Sequence, residues 1–339
     1  MTKGEARARI ARLRKVIDHH RYLYHVLNQQ EISDSALDSL KKELFDLEQQ
    51  FPDLVTPDSP TERVAGTPLA GFKKVKHPGR MLSLNDAFSE QDLRDWKRRL
   101  DDALGHSYDG GFYCDLKMDG LAVELRYKNG VLQEASTRGD GLTGEDVTQN
   151  LKTVEAIPLR LRGVKLRVPE ELVARGEVYL TKKEFARINK ELAKMNEKLY
   201  ANPRNLAAGT VRQLDPGVTA GRKLSFYGYG VVGSRGEYGD GFPRHNDEYA
   251  ALRAWGIPTN PHGKVVRSLE EVLEFWARFG KRRDDLDYEF DGVVVSANDN
   301  RVYRDAGVVG KAPRGAIAFK FSPRQAETIV EDIQVQVGR

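Results

Sequence analysis

Cysteine is almost absent from the chain: of 339 residues only Cys114 carries a thiol. That excludes an intrachain disulfide and any cysteine-rich zinc cluster within these residues. No apolar run approaches the roughly 20 residues needed to cross a bilayer, and no apolar signal core follows the basic N-terminus. The expected compartment is therefore the cytoplasm, with no membrane as partner. Charge of one sign is not in excess either. Lys plus Arg number 54 against 50 Asp plus Glu, a net +4, which is a mild lean toward polyanions and far from a dedicated nucleic-acid arm. What remains is an ordinary globular composition, 40% hydrophobic and 31% charged, in a length that suggests about two domains.

The first segment has the pattern of a helical hairpin. Ile10, Leu13, Ile17 and Tyr24 recur at helical spacing, as do Leu37, Leu40, Leu44, Leu47 and Phe51, with a polar break from Asn28 to Asp34. Arg7, Arg9, Arg12, Arg14 and Lys15 suit a solvated helix face better than a DNA grip. Prolines from Pro52 to Pro68 suggest a linker. Beyond it, Ser89 with Asp92, Thr181 with Glu184 and Ser268 with Glu271 carry helix-capping signals. Asn129-Gly130 between apolar alternations predicts a two-residue hairpin turn. The whole is an α+β pattern. Ile333, Val335 and Val337 alternate like a strand up to the last residue, Arg339, which reads as an interrupted element of a further domain.

Within FYCDLKMDG, strand alternation turns Phe112, Cys114, Leu116 and Met118 to the core and Asp115, Lys117 and Asp119 to the other face. A lysine between two carboxylates is usually a surface salt-bridge strip, and it is also how an enzyme could hold a lysine for nucleophilic attack. STRGDGLTGED contains Gly139, Gly141 and Gly144 in a Gly-x-Gly-x-x-Gly spacing. A dinucleotide fold is rejected, because no acidic residue closes a second strand about twenty residues later. The segment suits either a turn holding Arg138 near a phosphate or a plain loop, with Thr143 and Asp146 as a capping box. Arg204 and Arg212 lie about two helical turns apart with Ala208 between, which suits phosphate approach or an exposed basic stripe. Glu177 sits on a strand beside apolar Val178 and Leu180. Ala316, Ala318 and Lys320 share one strand face, so the lysine has either a pocket or open solvent beside it.

Together these segments resemble the bacterial NAD-dependent DNA ligases, within the nucleotidyltransferase group that includes ATP-dependent ligases and RNA-capping enzymes. The resemblance runs through YLYHVLNQQEISDSALDSL, TPDSPTERV, MLSLNDAF, DLKMDGLA, STRGDGLTGEDVT, RGEVYL, NPRNLAAGTVRQLDP, YEFDGVVV and APRGAIAFKF in order. It implies a helical cap at 1–68, an adenylation domain of ATP-grasp-like antiparallel sheets with helices at 69–322, and the start of an OB-fold at 323–339. A zinc finger would lie only in a later part. By this resemblance Lys117 is the nucleophile that takes AMP from NAD and expels nicotinamide mononucleotide. Arg204, Arg212 and Lys320 would neutralise phosphate charge. Ser83, Leu84, Asp115, Arg138 and Glu177 match adenosine contacts, Tyr229 an aromatic stacked on adenine, and Asp119 belongs to the nucleophile's motif. Asp291 matches an acidic position associated with the metal, Mg²⁺, near Glu177. Tyr24, His25, Asp34 and Asp38 match contacts to nicotinamide mononucleotide. The implied partner is nicked double-stranded DNA, handled by a monomer. Two rival readings are an ATP-dependent nucleotidyltransferase and an idle DNA-binding scaffold. Leu37, Asp115, Ser296 and Gly315 depart from the family pattern, and Lys311 is a candidate to replace the cation missing at 296.

Overall fold

The computed structural model describes residues 1–64, 69–233, 236–237, 239–322, 329 and 332. The strand expected over Ile333 to Val337 lies outside the described residues, as do the last four residues of the expected linker, 65–68, and nearly all of 323–339.

The hairpin forms as its periodicity requires. Its first helix, Lys3–Leu27, begins at a Thr2/Glu5 capping box and ends at Asn28 in the left-handed conformation. The second, Asp34–Gln50, is capped by Ser33. Ile10, Leu13 and Ile17 bury against Leu44 and Leu47, with Leu37 and Leu40 packed at the edge. The basic residues are not simply solvated: Arg9 pairs with Glu43 at 2.6 Å, and Arg14 pairs with the buried Glu48.

The proline-rich stretch departs from a free linker. Short 3₁₀ turns form at Pro52–Leu54 and Pro60–Val64, and the segment packs as a strap. Ser59 is fully buried and donates to Glu48 at 2.7 Å. Arg63, also buried, donates to the carbonyls of Lys152 (2.8 Å), Val154 (3.0 Å) and Ile157 (3.0 Å). The prolines set the turns, and the guanidinium pins the strap to three carbonyls of the body, of which that of Val154 also accepts from Ile157 N at 3.0 Å.

The body is built on two sheets. In one, the strands Asp86–Ala87, Ala316–Lys320, Phe290–Ala297, Phe112–Met118 and Lys264–Val266 lie side by side in that order. In the other the order is Val131–Thr137, Leu121–Lys128, Glu171–Tyr179, Ser225–Val232. Each sheet buries one face under helices. Cys114, Leu116, Val293, Val295, Ile317 and Phe319 belong to one core; Val123, Leu125, Ala174, Val178 and Phe226 belong to the other. The alternate residues are left for the remaining faces. The chain passes from the first sheet to the second through Asp119-Gly120, between Met118 and Leu121. A Cβ at Gly120 would sit 2.2 Å from the Val178 carbonyl, so only glycine lets the chain enter the second sheet this close to the paired strand Glu171–Tyr179. Lys117 stands at that crossing.

Asn129 and Gly130 have φ of 50° and 75°, the primed turn the dipeptide predicts. One expected cap does not form. Thr143 lies in a short strand, Thr143–Glu145, paired with Lys74–Lys76, and Asp146 instead accepts from Thr148 N at 3.0 Å. The strand pairing claims the backbone that a helix start would need.

Candidate active site

A cavity of about 380 Å³ opens between the two sheets. Strand alternation delivers its lining. Asp115 and Lys117 come from Phe112–Met118, Val294 and Ser296 from Phe290–Ala297, and Ala316 and Lys320 from Ala316–Lys320. Facing residues are set by register: Val294 pairs with Asp115 on one side and Ala318 on the other. From the second sheet come Ala122, Glu177 and Tyr229. Ser83, Leu84, Arg138, Arg204 and Asp291 complete the expected residues in this lining. Arg212 lines an adjoining groove that shares Arg138, Glu177 and Arg204 with the cavity. Asp119 is in neither lining. Its carboxylate pairs with Arg204 at 3.1 Å.

The polar groups are heavily cross-paired. Lys117 Nζ lies 3.1 Å from Asp291 Oδ1 and 3.3 Å from its Oδ2, where the hydrogen bond forms. Lys320 sits 3.0 Å from Asp86 and 3.6 Å from Asp291. Arg212 pairs with Glu145 at 2.7 Å. Each cation expected at the phosphates thus rests on a carboxylate. Burial raises the Glu177 carboxyl to about 7, against the opposing pull of Lys117, Arg204 and Arg138. Burial likewise raises Asp115 to about 6, opposed by a hydrogen bond from the Tyr249 hydroxyl.

Behind the wall, a buried network fixes the loops. His77 bridges Glu124 (3.1 Å) and the Arg138 carbonyl (3.2 Å). Arg175 joins Glu124 at 2.9 Å to the Arg80 carbonyl at 3.1 Å. Gly139 and Gly141 take φ of 55° and 91°, so these glycines serve the tight turn carrying Arg138.

A family profile described as the NAD-dependent DNA ligase adenylation domain matches residues 69–324. The chain belongs to the NAD-dependent DNA ligase family. A second profile, the DNA ligase-like N-terminal NAD⁺-binding domain, matches residues 3–65. A DNA ligase of Syntrophobacter fumaroxidans is 48% identical over 99% of this chain and 50% of its own length. One of Symbiobacterium thermophilum is 46% identical over 100% of this chain and 50% of its own length. The chain therefore spans about half the length of the curated relatives it matches. Among solved structures, a Naegleria gruberi RNA ligase solved with AMP and Mn aligns at TM-score 0.35 and 9% identity, covering 81% of this chain and 69% of that one.

The ligase hairpin's expected contacts are not in the cavity lining. Tyr24 is 56% exposed and edge-on to His25. Asp38 lies in a groove on the hairpin itself, and Asp34 accepts from Gln30. Burial, aided by the nearby Arg21, lowers His25 to about 3, so its ring is neutral at ordinary pH. Among the described residues no group of three or more His, Cys, Asp or Glu forms a metal cluster, and no helix is long and apolar enough to cross a membrane.

The departures from the family pattern have structural counterparts. Ser296 is buried in the lining, in register with Tyr113 and Ala316. Gly315 gives its space to Tyr303: a Cβ at 315 would lie 2.9 Å from both Tyr303 Cα and its ring, and Tyr303 lines the cavity. Lys311 is exposed and outside the lining, and its carbonyl accepts from the N–H of Ser83, a lining residue, at 2.8 Å. Sequence reasoning missed Asp86, Tyr249 and Tyr303. MLSLNDAF contained the first, but no short-range spacing links Tyr249 or Tyr303 to the site.

Proposed function

We propose that this chain is the NAD-using adenylation module of a DNA ligase, with Lys117 as the nucleophile. The reading is carried by the position of Lys117, at the convergence of two sheets, with Asp291 at 3.1 Å and Glu177, Arg204 and Lys320 around the same cavity. The amine attacks the phosphorus of the AMP half of NAD. A P–N bond forms, the P–O bond to nicotinamide mononucleotide breaks, and the mononucleotide leaves with the electron pair. The amine sheds a proton, and the closeness of Asp291 supports it as acceptor. Arg204, Arg212 and Lys320 exchange their carboxylates for phosphate oxygens, so the positive charge is already assembled before substrate arrives. Arg138, Ser83, Leu84, Glu177 and Tyr229 hold the nucleoside. Tyr24, His25, Asp34 and Asp38 receive the mononucleotide half.

Mg²⁺ fits beside Glu177 and Asp291. Asp291 Oδ1 accepts no hydrogen bond, although Lys117 Nζ lies 3.1 Å from it as an ion pair, and this metal is usually held by one or two carboxylates plus substrate phosphates. When bound it supplies further neutralisation of phosphate charge. In the complete reaction of the family, AMP passes from Lys117 to the 5′-phosphate of a nicked duplex, breaking the P–N bond and forming a pyrophosphate linkage; the 3′-hydroxyl then attacks the 5′-phosphorus, forming the phosphodiester and expelling AMP.

Incubation with NAD and Mg²⁺ followed by intact mass measurement tests the first step. The wild type gains one AMP and Lys117→Ala gains none while melting normally. AMP incorporation by Lys117→Ala at the wild-type rate overturns the assignment.

A further inference from the structure

Asp115 and Tyr249 meet at the cavity wall away from Lys117. Asp115 lies two residues along the strand from the nucleophile, about 7 Å away, a span that suits a nucleoside whose phosphorus meets Lys117. The carboxylate is buried and fixed at both oxygens: Leu116 N donates to Oδ1 at 2.8 Å, and the Tyr249 hydroxyl donates to Oδ2 at 2.8 Å. Tyr249 is itself buried in the helix His245–Ala254. Its ring packs on Tyr113 with centroids 4.5 Å apart and on His245 at 5.4 Å. His245 is in turn fixed by Glu248 at 3.1 Å. The phenol is therefore aimed from a rigid mount, and both residues line the cavity.

Resting on the adenylation reading above, we propose that Tyr249 is a positioning residue for base recognition, holding the short Asp115 carboxylate where its open lone pairs accept the exocyclic amine of adenine. A carboxylate with one donor on each oxygen still has acceptor capacity on both. Without the phenol it has a second rotamer available and an unfilled acceptor in a buried site. Hypoxanthine presents a carbonyl where adenine presents the amine, so its oxygen would face the carboxylate with no proton between them. A buried polar group left unpaired in this way gives strong discrimination. Burial raises Asp115 only to about 6, so at pH 8 it is ionised and accepts only.

The test is calorimetric titration at pH 8 of the AMP-free chain with AMP and with inosine monophosphate. Wild type should bind AMP at least tenfold more tightly. Tyr249→Phe, which keeps the packed ring, should lose about three- to tenfold in AMP affinity with inosine monophosphate unchanged. With NAD its KM should rise while kcat stays within about twofold. Asp115→Asn, read independently of Tyr249, should erase the preference. Equal weakening toward both nucleotides, or wild-type affinities in Tyr249→Phe, would overturn the role of Tyr249 while leaving the pocket assignment standing. A wild type that binds neither nucleotide would instead sink the underlying reading and this inference with it.

Discussion

Glu177, Asp115 and Asp291 are carboxylates of one cavity under different constraints. Burial raises the first two to about 7 and about 6, whereas Asp291 is shared between Lys117 and Lys320. Their strand faces were legible because alternation alone turns Asp115 and Lys117 away from Cys114 and Leu116. The partners were not legible: Tyr249 reaches Asp115 across 134 residues, and Lys320 meets Asp86 through a parallel pairing of strands. Gly315 illustrates the same limit. As sequence it is a missing side chain; in the fold, Tyr303 occupies the space. Gly315→Ala should therefore cost about 1–3 kcal/mol by overpacking, because the new Cβ meets Tyr303 Cα, which is backbone and cannot swing aside. Denaturant unfolding within about 0.5 kcal/mol of wild type would show that Tyr303 yields freely.

At the scale of elements, local chemistry predicted most starts and turns. Ser89, Thr181 and Ser268 all accept from the backbone three residues on, and Asn129-Gly130 turns its hairpin. Those features depend on neighbours in sequence, so short windows carry them. The strap between hairpin and body was misread because prolines signal turns without saying whether the turns are packed. What packs them is Arg63, whose three acceptors lie 89, 91 and 94 residues away. Arg63→Ala removes a donor from all three carbonyls, of which that of Val154 keeps the Ile157 N–H at 3.0 Å, and the expected cost is about 2–4 kcal/mol, given about 1–3 kcal/mol for each of the other two groups and some relaxation. A thermal melt should show it as a drop of several degrees. A variant that melts with the wild type would mean that water or a backbone shift replaces the guanidinium.

The arrangement of the whole molecule is where sequence reasoning had least purchase, since it turns on how the hairpin sits against the body. Its family identity leads one to seek Tyr24, His25, Asp34 and Asp38 over the cavity, yet none is in the lining. The hairpin is docked instead on Glu155, which lies 3.1 Å from Lys41 and 3.6 Å from both Arg21 and Arg63. Arg162 adds a cation–π contact with Tyr22, 4.0 Å from the ring centroid. Burial alone would raise the Glu155 carboxyl, but Arg63, Lys41 and Arg21 outweigh it and leave it at about 2. The sign follows from linkage. A carboxylate depressed by folding adds stability above its unfolded value near 4.3, and that contribution fades as pH falls toward about 2. Its side chain is 41% exposed, so solvent screening trims the contribution to about 1–2 kcal/mol. Glu155→Gln should accordingly lower the melting temperature at pH 7, and the gap from wild type should narrow as the pH is taken from 5 to 3. Hydrogen exchange should quicken along Lys3–Leu27, while AMP affinity stays within about twofold, because no dock residue lines the cavity. A gap that held constant down to pH 3 would show that packing, and not the charge on Glu155, keeps the hairpin in its dock.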